Sequence, residues 1–147
     1  MVIEFDLKHM KNYLEHWKRL TKENLEKREV GEIVCKVDDK YELISSSSPL
    51  DCKARGGEPV AFFHNHPSKY TGIDWGEPRL SYGDIGWGIL NKMPIMCVGA
   101  DTKTGIRIRC FCADIDKTES LRTELLTAKN PKEIIARENP YKECLTY

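Results

Sequence analysis

A helical pattern of apolar residues marks the first part of the chain. Between residues 6 and 27, apolar side chains recur at the spacing that places them on one face of a helix, with lysine, glutamate and arginine between them. They include Met10, Tyr13, Leu14 and Trp17. We expect this stripe to face the core, since a membrane-binding or partner-binding helix would need a larger exposed apolar face.

Short apolar runs after this helix predict a sheet. EIVCKV and KYELIS flank Asp38 and Asp39, which predicts a strand, a turn and a second strand. The serine-rich residues 45–57 predict a solvated loop. GEPVAFFH is mostly apolar and rich in strand formers, so it predicts a central buried strand that ends at two histidines.

Helices and strands alternate again in the second half. Ser81 stands three residues before Asp84 and ahead of an apolar run, which predicts a helix that begins near Ser81. PIMCVGAD and GIRIRCFCAD predict a pair of strands joined through residues 101–105. ESLRTELLTA and PKEIIAREN predict two helices that close the chain.

This order of elements predicts an α/β fold. The chain has 147 residues, the size of one domain with a modest core, and it shows no internal repeat and no interdomain linker. We therefore expect a single domain over residues 1–147, with helices on both faces of a mixed sheet in an α-β-α sandwich.

Charge and hydropathy narrow the classes of partner. Lysine plus arginine and aspartate plus glutamate each number 23, so no basic excess indicates a nucleic-acid surface. No run approaches the roughly 20 apolar residues of a membrane helix, and the N-terminus lacks the pattern of a secretory signal. We expect a soluble, cytoplasmic protein that binds neither nucleic acid nor membranes.

The chain contains six cysteines. Several lie inside apolar runs and no export signal accompanies them, so we expect reduced thiols that pack in the core. Cys110 and Cys112 would share one face of a strand, but a zinc site usually pairs such a unit with a second Cys or His cluster. Two buried strand thiols are the favoured interpretation.

The two histidines at the end of the buried strand form the strongest candidate site. Side chains two residues apart on a strand project to the same side, so His64 and His66 can reach one metal ion. A carboxylate from the next element, such as Asp84, would complete three protein ligands and leave a fourth position open for water. The plainer alternative is a pair of histidines hydrogen-bonded at a strand end.

Three spaced pieces of sequence together resemble the JAMM motif of the JAB/MPN metallopeptidase family. They are HNHP at 64–67, SYGD at 81–84 and REVGEIV at 28–34. The resemblance implies a JAB/MPN-like fold, related to that of cytidine deaminases, with a mixed and curved sheet. The spacer between the histidines and the serine, residues 67–80, is longer than is usual for the family. Its aromatic residues Tyr70 and Trp75 could line a substrate groove or pack on the domain.

The same resemblance assigns roles to individual residues. It implies that His64, His66 and Asp84 bind Zn²⁺, that Glu29 is the general base, and that Ser81 donates a hydrogen bond to the oxyanion of the reaction. Glu32 stands where the family pattern has a small residue.

Each of these assignments has an alternative. A regular strand cannot turn both Glu29 and Glu32 towards one ion, so Glu32 is the alternative base. Ser81 and Asp84 also form a capping-box pattern that needs no metal, and we expect capping and ligation by Asp84 to require different geometries. His9 and His16 share a face of the first helix, where surface histidines are the default.

The function implied by the resemblance is that of a zinc metallopeptidase or isopeptidase. Its substrate would be a protein or peptide, with ubiquitin-like proteins among the candidates. The alternative is a catalytically inactive MPN-type domain that acts as a binding scaffold, although the complete ligand set favours an enzyme. Other enzyme classes that use paired histidines fit less well. An eight-fold barrel needs about 200 residues or more, which is longer than this chain. A zinc deaminase needs H-x-E with P-C-x-x-C, and the sequence contains neither motif. The chain is also not basic, as an HNH nuclease would be.

Overall fold

The first helix buries the predicted apolar stripe. The computed structural model describes residues 7–67 and 78–147, with side chains from residue 9 onwards. Helix α1 spans Leu7–Glu23. Met10, Leu14 and Trp17 are almost completely buried, which confirms the prediction that this stripe faces the core.

The described residues contain six strands that form one mixed sheet. The strands are β1 Gly31–Val37, β2 Lys40–Ser45, β3 Glu58–His66, β4 Ile95–Thr102, β5 Gly105–Cys112 and β6 Lys142–Thr146. Their order is β2-β1-β3-β4-β5-β6. Strands β3 and β4 are parallel, and every other neighbouring pair is antiparallel. The predicted central strand, β3, therefore lies inside the sheet between β1 and β4.

Helices cover both faces of this sheet. They are α1, α2 Leu50–Ala54, α3 Tyr82–Leu90, α4 Glu119–Thr127 and α5 Pro131–Arg137, with a 3-10 turn at Ile115–Thr118. Helix α1 packs against β3, β4 and β5, whereas α3, α4 and α5 pack against one another. The described ranges thus form one mixed α/β unit, as predicted, while the extent of the domain over 1–147 stays a prediction.

Successive side chains of each strand point to opposite faces of the sheet, where they pack in two separate hydrophobic cores. Phe63 of β3 belongs to the core under α1, where its ring stacks on that of Trp17 at 4.9 Å between centroids. Phe62 belongs to the opposite core, with Ile85 and Ile89 of α3. This alternation fixes the outcome for the site, because His64 and His66 have the parity of Phe62 and therefore face the α3 side.

Two elements differ from the sequence prediction. The serine-rich segment contains the short helix α2, which buries Cys52 against the sheet. The chain closes with strand β6 instead of with α5, because β6 pairs with the free edge of β5. Both elements depend on contacts with distant segments, which local residue patterns do not report.

The cysteines are paired, so the prediction of reduced thiols is wrong for this structure. Disulfides join Cys35 to Cys52, Cys97 to Cys110, and Cys112 to Cys144. Cys97 and Cys110 are directly opposite each other in the β4–β5 ladder, which explains their proximity. Cys110 and Cys112 lie on the α1 side of β5, as their spacing predicted.

Within residues 7–67 and 78–147, no helix is both long enough and apolar enough to cross a membrane.

Candidate metal centre

The end of β3 brings two imidazole rings together. The Nε2 atoms of His64 and His66 lie 3.0 Å apart, so the predicted projection to one side of the strand is confirmed. The ring of His64 stacks against that of Phe62 at 5.4 Å between centroids. Nδ1 of His64 is buried and has no hydrogen-bond partner among the described residues, so this ring makes its polar contacts through Nε2.

Asp84 reaches the same place from the first turn of α3. Its Oδ2 atom lies 3.1 Å from Nε2 of His64 and 3.4 Å from Nε2 of His66. Ser81 is the N-cap of α3, as predicted, and the capping box is complete: Asp84 N–H donates to Ser81 Oγ at 3.0 Å, and Ser81 N–H donates to Asp84 Oδ2 at 2.9 Å. The same oxygen therefore caps the helix and faces both histidines. This is possible because α3 begins directly beside the end of β3. The expectation that capping and ligation by Asp84 require different geometries stays a prediction.

The surroundings of Asp84 favour its charged form. Burial raises the pKa of this carboxyl group, but hydrogen bonds from His64 and His66, the charge of His64 and the backbone N–H of Ser81 outweigh burial. Together they hold the pKa of Asp84 far below its usual range. An anionic oxygen is thus available at the point where the two Nε2 atoms converge.

Glu29, and not Glu32, belongs to this cluster. Oε1 of Glu29 lies 3.9 Å from Nε2 of His64. Glu32 points to the opposite face of the sheet, where its Oε1 accepts a hydrogen bond from Trp17 Nε1 at 3.0 Å and lies 2.9 Å from Nε2 of His16. The two carboxylates do not face the same site, as predicted, although Glu29 precedes β1 and only Glu32 lies on the strand. The contacts with α1 show that Glu32 is the one that turns away.

One group of potential metal ligands occurs in the described part of the chain. One ligand atom from each of Glu29, His64, His66 and Asp84 lies within 4.8 Å of all the others. Burial is graded across the group: the side chain of His64 is 2% exposed, those of His66 and Asp84 are 20% and 19% exposed, and that of Glu29 is 56% exposed. A cation held here would have a buried protein side and an open side next to Glu29.

Ser81 lies at the rim of this cluster. It is exposed, and its Oγ already accepts the N–H of Asp84. The hydroxyl hydrogen is not used in that contact, so it can be donated to another group. The structure shows the capping role, while the oxyanion role stays a prediction.

A cavity of about 290 Å³ adjoins the cluster. Glu29 and Asp84 form its polar edge, and its remaining lining is Ser47, Phe62, Gly83, Trp87 and Met96. A larger hollow of about 750 Å³ lies over β2 and α2, away from the histidines, and no comparable group of ligands occurs there among the described residues. The smaller cavity is therefore the one in contact with candidate chemistry.

Some sequence predictions lie elsewhere or outside the described residues. Tyr70 and Trp75, the aromatic residues that could line a substrate groove, belong to residues 68–77, which lie outside the described ranges. His9 contacts the ring of Tyr41, and His16 contacts Glu32, so the two do not form a site together. Sequence reasoning did not single out Asn65, a fully buried amide between the two histidines, although a buried polar residue inside a motif always requires partners.

The chain matches none of the protein-family models, none of the curated proteins and none of the solved structures with which it was compared.

The donor set itself indicates what the cluster can hold. Two imidazole nitrogens and a carboxylate held in its anionic form are ligands that divalent transition metals accept readily. A further carboxylate, that of Glu29, stands on the more exposed side of the group. The cluster could therefore hold a metal ion.

Proposed function

We propose that this chain is a zinc-dependent metallopeptidase of the JAMM type, with a JAB/MPN-like fold, that hydrolyses a peptide or isopeptide bond. The observation that supports it most is the convergence of Glu29, His64, His66 and Asp84 from three separate places in the sequence. These are the residues that the motif resemblance assigns to zinc and to the general base. A mixed sheet with helices on both faces is compatible with that fold.

His64, His66 and Asp84 would hold the ion. Zinc suits this set because it accepts imidazole nitrogen and carboxylate oxygen in a tetrahedral site with one open position. When bound in such a site, zinc lowers the pKa of a coordinated water molecule towards neutrality and polarises the carbonyl group of a substrate.

Glu29 would act as the proton carrier. Its carboxylate is more than half exposed and stands 3.9 Å from His64, within reach of a water molecule on the open side of the cluster. It would accept a proton as that water attacks the carbonyl carbon, and then donate it to the leaving amine.

Ser81 would stabilise the charge that develops on the carbonyl oxygen. Its position is fixed by the capping box with Asp84, so the hydroxyl is held beside the ligand set without a further ordering step. The proposed role requires only that the hydroxyl hydrogen, free of the capping contact, point towards the substrate.

The graded burial of the cluster agrees with a macromolecular substrate. Within residues 7–67 and 78–147, Glu29 and Ser81 are exposed, so these two proposed reacting groups lie at the surface. A flexible polypeptide tail, as in a ubiquitin-like protein or a peptide, could approach such a site. The alternative, a scaffold domain without activity, receives no support from the cluster, because a scaffold has no need for a carboxylate placed beside an open ligand position.

Location and partners follow from separate features. We propose a protein or peptide partner and no nucleic acid or membrane partner. The sequence predicts a cytoplasmic location, whereas the three disulfides favour an oxidising compartment, because disulfides persist mainly in such compartments. A thiol count on protein isolated from its native source decides between these two indications.

A cleavage assay tests the proposed function. The zinc-loaded chain would be incubated with a peptide library and with a panel of ubiquitin-like fusion proteins, beside Glu29→Gln and the matched variant Glu32→Gln. We expect cleavage by the wild type and by Glu32→Gln, loss with a chelator, recovery with zinc, and no cleavage by Glu29→Gln. Stoichiometric zinc without cleavage of any member of either set would contradict the proposal and favour the scaffold.

A further inference from the structure

We infer that Asn65 is a positioning residue, which sets the place of the Glu29 carboxylate beside His64 by binding the two peptide groups that flank Glu29. Asn65 is the central residue between the two histidines on β3, and its side chain projects to the opposite face of the sheet. It is fully buried. Its catalytic consequence rests on the function proposed above, whereas the positioning itself does not.

Both ends of the Asn65 amide are used. Oδ1 accepts the backbone N–H of Val30 at 2.6 Å, and Nδ2 donates to the backbone carbonyl of Arg28 at 3.1 Å. The orientation of the amide is fixed by chemistry, because an N–H can only donate and a carbonyl can only accept. One side chain therefore holds the peptide group before Glu29 and the peptide group after it.

These contacts replace sheet pairing where it ends. The ladder between β1 and β3 ends at the pair Gly31 and His64, and residues 28–30 lie outside any strand. Peptide groups are planar, so the direction of the Glu29 Cα–Cβ bond, from which the carboxylate extends, follows from the orientation of its two flanking peptide planes. Asn65 forms a hydrogen bond with each of these peptide groups, so its side chain takes the place of a further backbone pair beyond the end of the ladder.

The carboxylate of Glu29 depends on this support. Its side chain is 56% exposed, and its one polar contact within the described ranges is that with His64 at 3.9 Å. Side-chain contacts therefore do little to hold it, and the backbone at 28–30 decides where it lies. Misplacement of a reacting group by about 1 Å can lower a rate by about 100-fold, so a loosened segment would be costly to a general base.

The substitution Asn65→Asp gives a sharp test. The new carboxylate would keep an acceptor for Val30 N–H but would place an oxygen against the carbonyl of Arg28, so the second contact is lost. Asn24→Asp is the matched control, because Asn24 also donates its amide to a backbone carbonyl, that of Leu20 at 2.8 Å, at the end of α1. It makes the same chemical change away from Glu29.

The first measurement needs no substrate. Hydrogen exchange of the Val30 amide would be followed in the metal-free wild type, in Asn65→Leu, which removes both contacts at similar side-chain size, and in the control Asn24→Leu. We expect exchange at least about tenfold faster in Asn65→Leu alone, since Val30 N–H loses its acceptor and the segment is no longer held. An unchanged Val30 amide in Asn65→Leu would overturn the inference whether or not the protein is a peptidase.

The second measurement is a double-mutant cycle on hydrolysis by the zinc-loaded chain. We expect Asn65→Asp to lower kcat about 10- to 100-fold with little change in KM and with zinc retained. In a Glu29→Gln background the same substitution should add almost nothing, because its effect acts through Glu29. Equal losses in both backgrounds would show a general structural role and overturn the inference. An inactive wild type with the expected exchange pattern would refute the proposed peptidase function and leave the positioning of Glu29 established.

Discussion

Oδ2 of Asp84 lies 3.1 Å from Nε2 of His64 and also accepts the backbone N–H of Ser81 at 2.9 Å. A single oxygen atom thus joins the start of α3 to the end of β3. The helix cap fixes where the carboxylate points, and hydrogen bonds from His64, His66 and Ser81 outweigh burial and lower its pKa. The fold therefore brings these candidate ligands together in advance, which would reduce the cost of ordering them if an ion binds.

This dual use of Asp84 leads to a prediction for Asp84→Asn. The asparagine carbonyl can still accept from Ser81 N–H, so α3 should keep its cap and the protein its fold. The negative charge is lost, and affinity for zinc should fall by more than about 100-fold. Isothermal titration with zinc, with circular dichroism as the control for folding, checks both parts. Undiminished affinity would remove Asp84 from the ligand set.

The two carboxylates of the β1 region should respond differently to neutralisation. Glu29→Gln should retain zinc and lower hydrolysis by about 100- to 10,000-fold, because it removes the general base. Glu32→Gln should leave hydrolysis almost unchanged and reduce the free energy of unfolding by about 1 kcal/mol, because it weakens the contacts with Trp17 and His16. Steady-state kinetics and chemical denaturation measure the two effects, and an exchange of the two phenotypes would make Glu32 the base.

Ser81→Gly separates the capping role of this residue from its proposed catalytic role. Glycine is a tolerated N-cap, so the substitution should reduce the free energy of unfolding by only a few tenths of a kcal/mol. Removal of the hydroxyl should nevertheless lower kcat by about 100- to 1,000-fold if it donates to the oxyanion. Kinetics beside thermal unfolding would distinguish the two. Full activity would restrict Ser81 to the cap.

Local periodicity is sufficient to predict most of the helices and strands. The spacing of Met10, Leu14 and Trp17 predicts a buried face of α1, and the spacing of His64 and His66 predicts their common direction. Both conclusions need only the geometry of one element. The start of α3 at Ser81 is equally predictable, since the capping box is a signal confined to four residues.

The remaining features depend on pairings between distant segments. Strand β6 exists because β5 offers it an edge, and its five residues carry no clear alternation of apolar and polar positions. Which of Glu29 and Glu32 lies beside the histidines depends on Trp17 and His16 of α1, which hold Glu32 on the other face. The role of Asn65 likewise becomes visible only when residues 28–30 are seen beside it.

The paired cysteines give a prediction about stability. Replacing Cys35 and Cys52 by alanine should reduce the free energy of unfolding by about 3 kcal/mol under oxidising conditions, because the bridge closes a loop with a sequence separation of 17 residues. The same substitutions should have a much smaller effect when the wild type is also reduced. Denaturant titrations with and without reductant measure this difference. A thiol titration of the unfolded, unreduced protein that finds free cysteines in full number would contradict the pairing.

The most direct test of the metal centre is the metal content of the purified protein. Wild type, His66→Ala and the control His16→Ala would be resupplied with zinc, dialysed without chelator and measured by elemental analysis. The arrangement of Glu29, His64, His66 and Asp84 predicts close to one zinc per chain in the wild type and in His16→Ala, and a loss of zinc in His66→Ala. No bound metal in the wild type after resupply would contradict the account, and the histidine pair would then be a polar strand end beside a helix cap.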